Sequence, residues 1–221
     1  FGGAASVLLR KPRCRTEIYN DRDGEIVNLF RCIRERLDDL RRAIALTPYA
    51  RDEYDKLYAA TDDPIERARA LVARSFMGMN SKGAFSKSGF DTRVNDDAYV
   101  SRLRSLVEVP DELAAVAARM MRVVVENCDA VELIARHDRP DCLLYLDPPY
   151  VLSTRSGAYY RHEMADDEHR ALLAQARTLS GMVLISGYRN GLYDEALSGW
   201  RRVETRARTD GGGVSGEVLW L

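Results

Sequence analysis

Residues 142–150, Cys142-Leu143-Leu144-Tyr145-Leu146-Asp147-Pro148-Pro149-Tyr150, read as an apolar run of buried-strand type that stops abruptly at two prolines. Successive prolines fix φ and remove two backbone N–H groups, so the corner after the strand is stiff and its carbonyls point outward as acceptors. Asp147 and the carbonyl of Pro148 can each accept one N–H of an exocyclic amine, and Tyr150 offers a flat face on which a base stacks. A rigid turn with a satisfied Asp147 is the plainer reading of the same residues, and the surroundings must decide between the two.

Upstream, Thr16 to Asn20 alternates and ends in Asn20-Asp21, which suits a strand opening onto a loop. Ile26, Leu29, Phe30, Ile33, Leu37 and Leu40 then recur at helical spacing and predict one amphipathic helix packed on a sheet. From Thr47 to Ser105, Pro48, Pro64 and the passage Gly78 to Gly89 interrupt short helical pieces, the pattern of an insertion. Pro110 and Asp111 read as the start of a helix through Met120, Val123–Val125 as a strand, and Asp129–Arg136 as a short helix.

Downstream, His169, Leu172, Leu173, Ala176 and Leu179 predict a helix, Met182–Ser186 a strand and Leu192–Leu197 a helix. Trp200–Thr205 and Glu217–Leu221 read as two closing strands separated by a Gly-rich turn. Strands alternating with helices predict a mainly parallel, doubly wound α/β sheet, which binds ligands at the carboxyl ends of its strands. Asp21, Asp129 and Asp147 all fall at such ends or at loop entries.

Composition is ordinary: 46% hydrophobic and 30% charged residues exclude a disordered or fibrous chain. No apolar run approaches the roughly 20 residues of a bilayer span, and the first residues do not read as a signal peptide, so a cytoplasmic protein is expected. Cys14, Cys32, Cys128 and Cys142 are too scattered for a zinc site or disulfide frame, and no metal is expected. The net charge of -1 says nothing about nucleic acid, but Arg74, Lys82, Lys87, Arg93, Arg102 and Arg104 concentrate positive charge in the insertion.

Several motifs occur in an order that resembles one family. Phe1-Gly2-Gly3-Ala4-Ala5-Ser6 resembles the end of a Gly-rich cofactor motif, and Tyr19-Asn20-Asp21-Arg22-Asp23 an Asn-Asp-x-Asn step followed by a Val-Asn-Leu-Phe helix. Asn127-Cys128-Asp129, Asp147-Pro148-Pro149-Tyr150, Tyr160-x-His162-Glu163-Met164, Ser186-Gly187-Tyr188 and Glu217-Val218-Leu219-Trp220 follow in turn. The chain thus resembles the DNA adenine methyltransferases, in a phage-type branch with the recognition region ahead of the Asp-Pro-Pro-Tyr motif. A Gly-Gly-Lys segment of that family would precede Phe1, so the sequence reads as a fragment. Ala130 stands where the family often has Phe, and Ser215-Gly216 where it often has a basic residue.

The resemblance implies a Rossmann-like S-adenosylmethionine-dependent catalytic domain over 1–45 and 106–221, and a mostly helical target-recognition region over 46–105. It implies that Phe1, Gly2 and Gly3 approach the methionine part of the cofactor. Asp21 would accept the ribose hydroxyls and Asp129 would face the cofactor's adenine amino group, with Asp147 beside the reacting methyl. Helix capping is the competing role for both Asp21 and Asp129. Asp147, Pro148, Pro149 and Tyr150 would be catalytic, acting on the N6 amino group of an adenine flipped out of double-stranded DNA. Asn80, Ser81, Lys82, Arg155, Tyr160 and His162 would touch that DNA. A monomer or weak dimer in a bacterial or phage-infected cell is expected, with room for a cognate restriction endonuclease. The alternatives are a non-catalytic DNA- or cofactor-binding homologue and an amino-methyltransferase acting on cytosine or RNA.

Overall fold

The computed structural model describes residues 1–3, 5–79, 87–92, 97–155, 157, 160–208 and 214–221. The fold is mixed α/β, and the chain divides into two compact units. One, here the helical unit, comprises Gly3–Tyr19 and Asp23–Asn127; the other, the sheet unit, comprises Phe1–Gly2, Asn20–Arg22 and Cys128–Leu221.

In the helical unit α1 (Ser6–Arg10) leads into β1 (Glu17–Asn20), which forms a two-stranded sheet with β2 (Val123–Glu126). Helix α2 (Gly24–Glu35) begins where the Asp23 carboxylate accepts the Glu25 N–H at 2.9 Å, and it buries Ile26, Val27, Phe30 and Ile33. The apolar stripe runs on through Leu37 and Leu40, yet the expected single helix is two. At Arg36 the backbone opens to φ −140°, ψ 45°, and α3 (Leu37–Ala45) sets off to bury Leu40 and Ile44. No breaker residue marks this point; the break lets α3 pack on helices that the local pattern does not see.

Those helices are α5 (Pro64–Met77), reached through α4 (Arg51–Lys56), and α6 (Asp97–Met120). Asp63 caps α5 by accepting the Ile65 N–H at 2.9 Å, with Pro64 at the first helical position, where its missing N–H costs nothing. Pro110, expected to start a helix, lies inside α6. A proline there cannot donate to the Leu106 carbonyl four residues earlier; the carbonyl of Pro110 itself accepts from Arg41 Nε of α3 at 2.7 Å. Glu17, buried on β1, is clamped by both terminal nitrogens of Arg119 at 2.8 and 2.9 Å and by Lys11 Nζ.

The sheet unit contains α7 (Ala130–His137), β3 (Leu143–Leu146), α8 (Asp166–Ala176), β4 (Met182–Tyr188), α9 (Gly191–Ala196), β5 (Arg202–Arg208) and β6 (Val214–Trp220). Its strand order is β3-β4-β6-β5. Strand β3 pairs parallel to β4, whereas β4–β6 and β6–β5 are antiparallel. The expectation of a mainly parallel sheet therefore fails for this half. Parallel neighbours need a crossover of about a dozen residues, which α8 supplies between β3 and β4, but only five residues separate β5 from β6. The Gly-rich turn expected between them lies outside the described residues.

Leu146, Leu172, Leu173, Ile185, Val218 and Trp220 form the core of this unit. Leu172 and Leu173 have no exposed surface, and truncating either to Ala would cost about 3 kcal/mol. His169 is buried with them, its Nδ1 2.9 Å from the Tyr193 hydroxyl.

Candidate active site

Pro148 is fully buried, and among the described residues its carbonyl accepts no hydrogen bond. Asp147 is exposed, but Ser186 of β4 donates its Oγ–H to Asp147 Oδ1 at 2.7 Å. Ser186 is itself buried and sits beside the partner of Leu146, because β3 and β4 run in register through Leu146 and Ile185. Crowding by protein atoms desolvates the Asp147 carboxyl and pushes its pKa up; the Ser186 hydrogen bond opposes this and the negative charge of Glu217 adds to it.

Tyr150 is held at several points. Its hydroxyl donates to Glu217 Oε1 at 2.5 Å, and its ring meets Tyr188 edge-on, with centroids 4.4 Å apart at 64°. Glu217 and Tyr188 face each other across the β4–β6 ladder, so one register places both supports. Burial, followed by the bond to Glu217, raises the phenol pKa well above its ordinary value.

Arg155 was expected against DNA, but its guanidinium is committed to the protein. Its side chain is only 6% exposed. Nε donates to the Tyr150 carbonyl at 2.6 Å, and Nη1 donates to Gly157 O and to Glu163 Oε1, each at 3.0 Å. Tyr160 lies under that guanidinium, 5.0 Å from ring centroid to Cζ, and is 38% exposed; His162 is exposed. Asn80, Ser81 and Lys82, together with Tyr159, lie outside the described residues.

A second group of acids gathers on the same unit. Gly2 N–H donates to Asp21 Oδ2 at 2.9 Å, so Asp21 is not the cap of α2; Asp23 is. Asn20 bonds Cys128 twice: its Nδ2 donates to the Cys128 carbonyl and its Oδ1 accepts the Cys128 N–H, both at 3.1 Å. That pairing draws Asp21 and Asp129, the next residue of each segment, to the same place. Asp129 does cap α7, accepting the Val131 N–H at 2.8 Å on Oδ1, while its Oδ2 has no partner among the described residues. Gly3 belongs to the helical unit; it takes φ +48°, and its carbonyl accepts from Tyr19 Oη at 2.6 Å.

Sequence reading missed Ser186, Tyr188 and Glu217 as supports of the corner and Asn20 as the tie between the acids. All four stood inside recognised motifs, but only the folded chain shows whom they touch. The helical unit also has a cavity lined by Val27, Phe30, Ile33, Met120 and Val123, none of them a candidate site residue. Among the described residues no cluster of His, Cys, Asp and Glu is placed to hold a metal, and no helix is long and apolar enough to cross a membrane.

An exposed carboxylate, a carbonyl unengaged among the described residues and an anchored aromatic ring thus stand at the corner after β3, on the unit that also carries Asp21 and Asp129. The chain belongs to the D12 class N6 adenine-specific DNA methyltransferase family, whose model matches residues 1–208. No curated protein matches the chain. The activity is therefore methylation of adenine in DNA.

Proposed function

We propose that this chain uses S-adenosylmethionine to methylate the N6 amino group of adenine at the Asp147-Pro148-Pro149-Tyr150 corner. When bound, that cofactor supplies an electrophilic methyl group on a positively charged sulfur. Asp21 would hold its ribose hydroxyls, the Oδ2 atom of Asp129 its adenine amino group, and Phe1, Gly2 and Gly3 its methionine part. The fit rests on the Asn20–Cys128 pairing that sets Asp21 and Asp129 together, and on the Asp129 Oδ2 atom left without a partner among the described residues.

The adenine amino lone pair is delocalised into the ring, which makes the nitrogen a weak nucleophile. Asp147 and the Pro148 carbonyl accept its two N–H bonds and localise the lone pair toward the methyl donor. The base reaches them only by leaving the duplex stack, at a cost of a few kcal/mol that stacking on Tyr150 offsets in part. The same reading takes β3, α8 and β4 as part of a doubly wound, Rossmann-like sheet, residues 46–105 as the recognition region, and Asn80, Ser81, Lys82, Tyr160 and His162 as DNA contacts. Arg155 becomes the staple that orders the loop carrying Tyr160.

The observation that carries the reading is Asp147: exposed, kept in place by Ser186, and followed by a carbonyl that has no partner among the described residues. Its test is labelled methyl transfer from S-adenosylmethionine to unmethylated DNA. Asp147→Ala is expected to lose about 100-fold or more of the rate with the fold intact; a fully active Asp147→Ala protein sinks the assignment.

A further inference from the structure

We propose that Glu217 is the positioning residue for the Tyr150 platform: from strand β6 its carboxylate fixes the ring on which the extruded base stacks. The proposal rests on the reading of Tyr150 given above and adds a residue that the Asp-Pro-Pro-Tyr motif does not contain.

Tyr150 follows two prolines whose backbone is rigid, but nothing in that rigidity sets its side-chain torsions. A half-buried tyrosine on a loop has several rotamers, and a base stacking on it would have to freeze one. Two contacts to the side chain have already done so, and a third holds its backbone. The Glu217 carboxylate accepts the phenol O–H at 2.5 Å, the edge of Tyr188 closes one side at 4.4 Å, and Arg155 holds the Tyr150 carbonyl at 2.6 Å. Of these, only Glu217 grips the far end of the ring, where leverage against rotation is greatest. The bond is charge-assisted and partly withdrawn from water, the condition under which such bonds are strongest.

Glu217 is not replaceable by chance neighbours. It faces Tyr188 in the β4–β6 register, and Ser186, which holds Asp147, faces Leu219 on the same two strands. A single strand pair therefore anchors the amine acceptor and the stacking ring together. Glu217 also adds negative charge near Asp147, so its removal should be felt at both.

The test compares Glu217→Ala, Glu217→Gln, Tyr150→Phe and the double variant Tyr150→Phe/Glu217→Ala in the whole chain. Methyl transfer to unmethylated DNA is measured alongside NMR of ¹³Cζ-labelled tyrosine. Glu217→Ala should lose about tenfold in kcat/KM, whereas Glu217→Gln, whose amide oxygen still accepts the phenol proton, should stay within about threefold. The double variant should be no worse than the poorer single one, because both remove the same bond. The resonance that vanishes in Tyr150→Phe is that of this ring, and replacing the Glu217 carboxylate by the amide of Glu217→Gln should shift it. Additive losses in the double variant overturn the proposal. So does a Tyr150 resonance indifferent to Glu217→Gln, a readout that survives even if Glu217→Ala fails to fold. Full activity of Asp147→Ala would instead defeat the methyl-transfer reading, with the NMR still deciding whether Glu217 holds Tyr150.

Discussion

In the role proposed for it Asp147 has to be ionised to draw on an amino group, and its surroundings resist ionisation. Desolvation and Glu217 raise its pKa above the ordinary 3.8, and Ser186 partly restrains the rise. Activity should therefore fall with acidification through that raised value. Ser186→Ala removes the hydrogen bond that favours the charged form, so the acid limb of kcat/KM against pH should begin at a higher pH than in the wild type. A limb that stays put or moves to lower pH would show that some other group governs it. At this scale the sequence was readable wherever the chemistry is local. Two prolines after an apolar strand announce their corner from four letters, and Asp129 could be foreseen both as a cap and as a candidate ligand. Ser186, Tyr188 and Glu217 could not be assigned their roles, because hydrogen bonds spanning 39 and 67 residues depend on which strands lie side by side.

Individual strands and helices were largely legible, since periodicity and caps are written locally. The errors were at Arg36, where one apolar stripe serves two helices, and at Pro110, which lies within α6 and does not start it. A further element-level tie is Glu17, which fastens β1 to the end of α6. The paired guanidinium of Arg119, above all, holds its carboxyl down at about 2 from an ordinary 4.5. A depressed carboxylate pKa stabilises the fold fully above the ordinary value and loses that contribution as pH falls toward the folded one. Glu17→Gln should thus cost about 3 kcal/mol at pH 7, since it leaves the partly buried Arg119 beside a neutral partner. The gap to wild type should narrow between about pH 4.5 and pH 2, as urea midpoints over that range would reveal. A gap independent of pH would exclude the ionised clamp as its cause.

For the molecule as a whole, two hydrophobic clusters separate the chain into units that share none of their core residues. Both tryptophans, Trp200 and Trp220, belong to the sheet unit, whereas most of the helix belongs to the other. Tryptophan emission and far-ultraviolet circular dichroism consequently watch different cores. Glu17→Gln should lower the dichroism midpoint in urea more than the emission midpoint; equal shifts would mean that the two units melt as one.

The bonds from Ser186 and Glu217 also bear on how such chains are recognised by their letters. A shortened copy ending before β6 would keep the entire four-residue signature and lose the brace that gives it shape. Genome surveys that count signatures would tally it among working enzymes, although its tyrosine would swing loose.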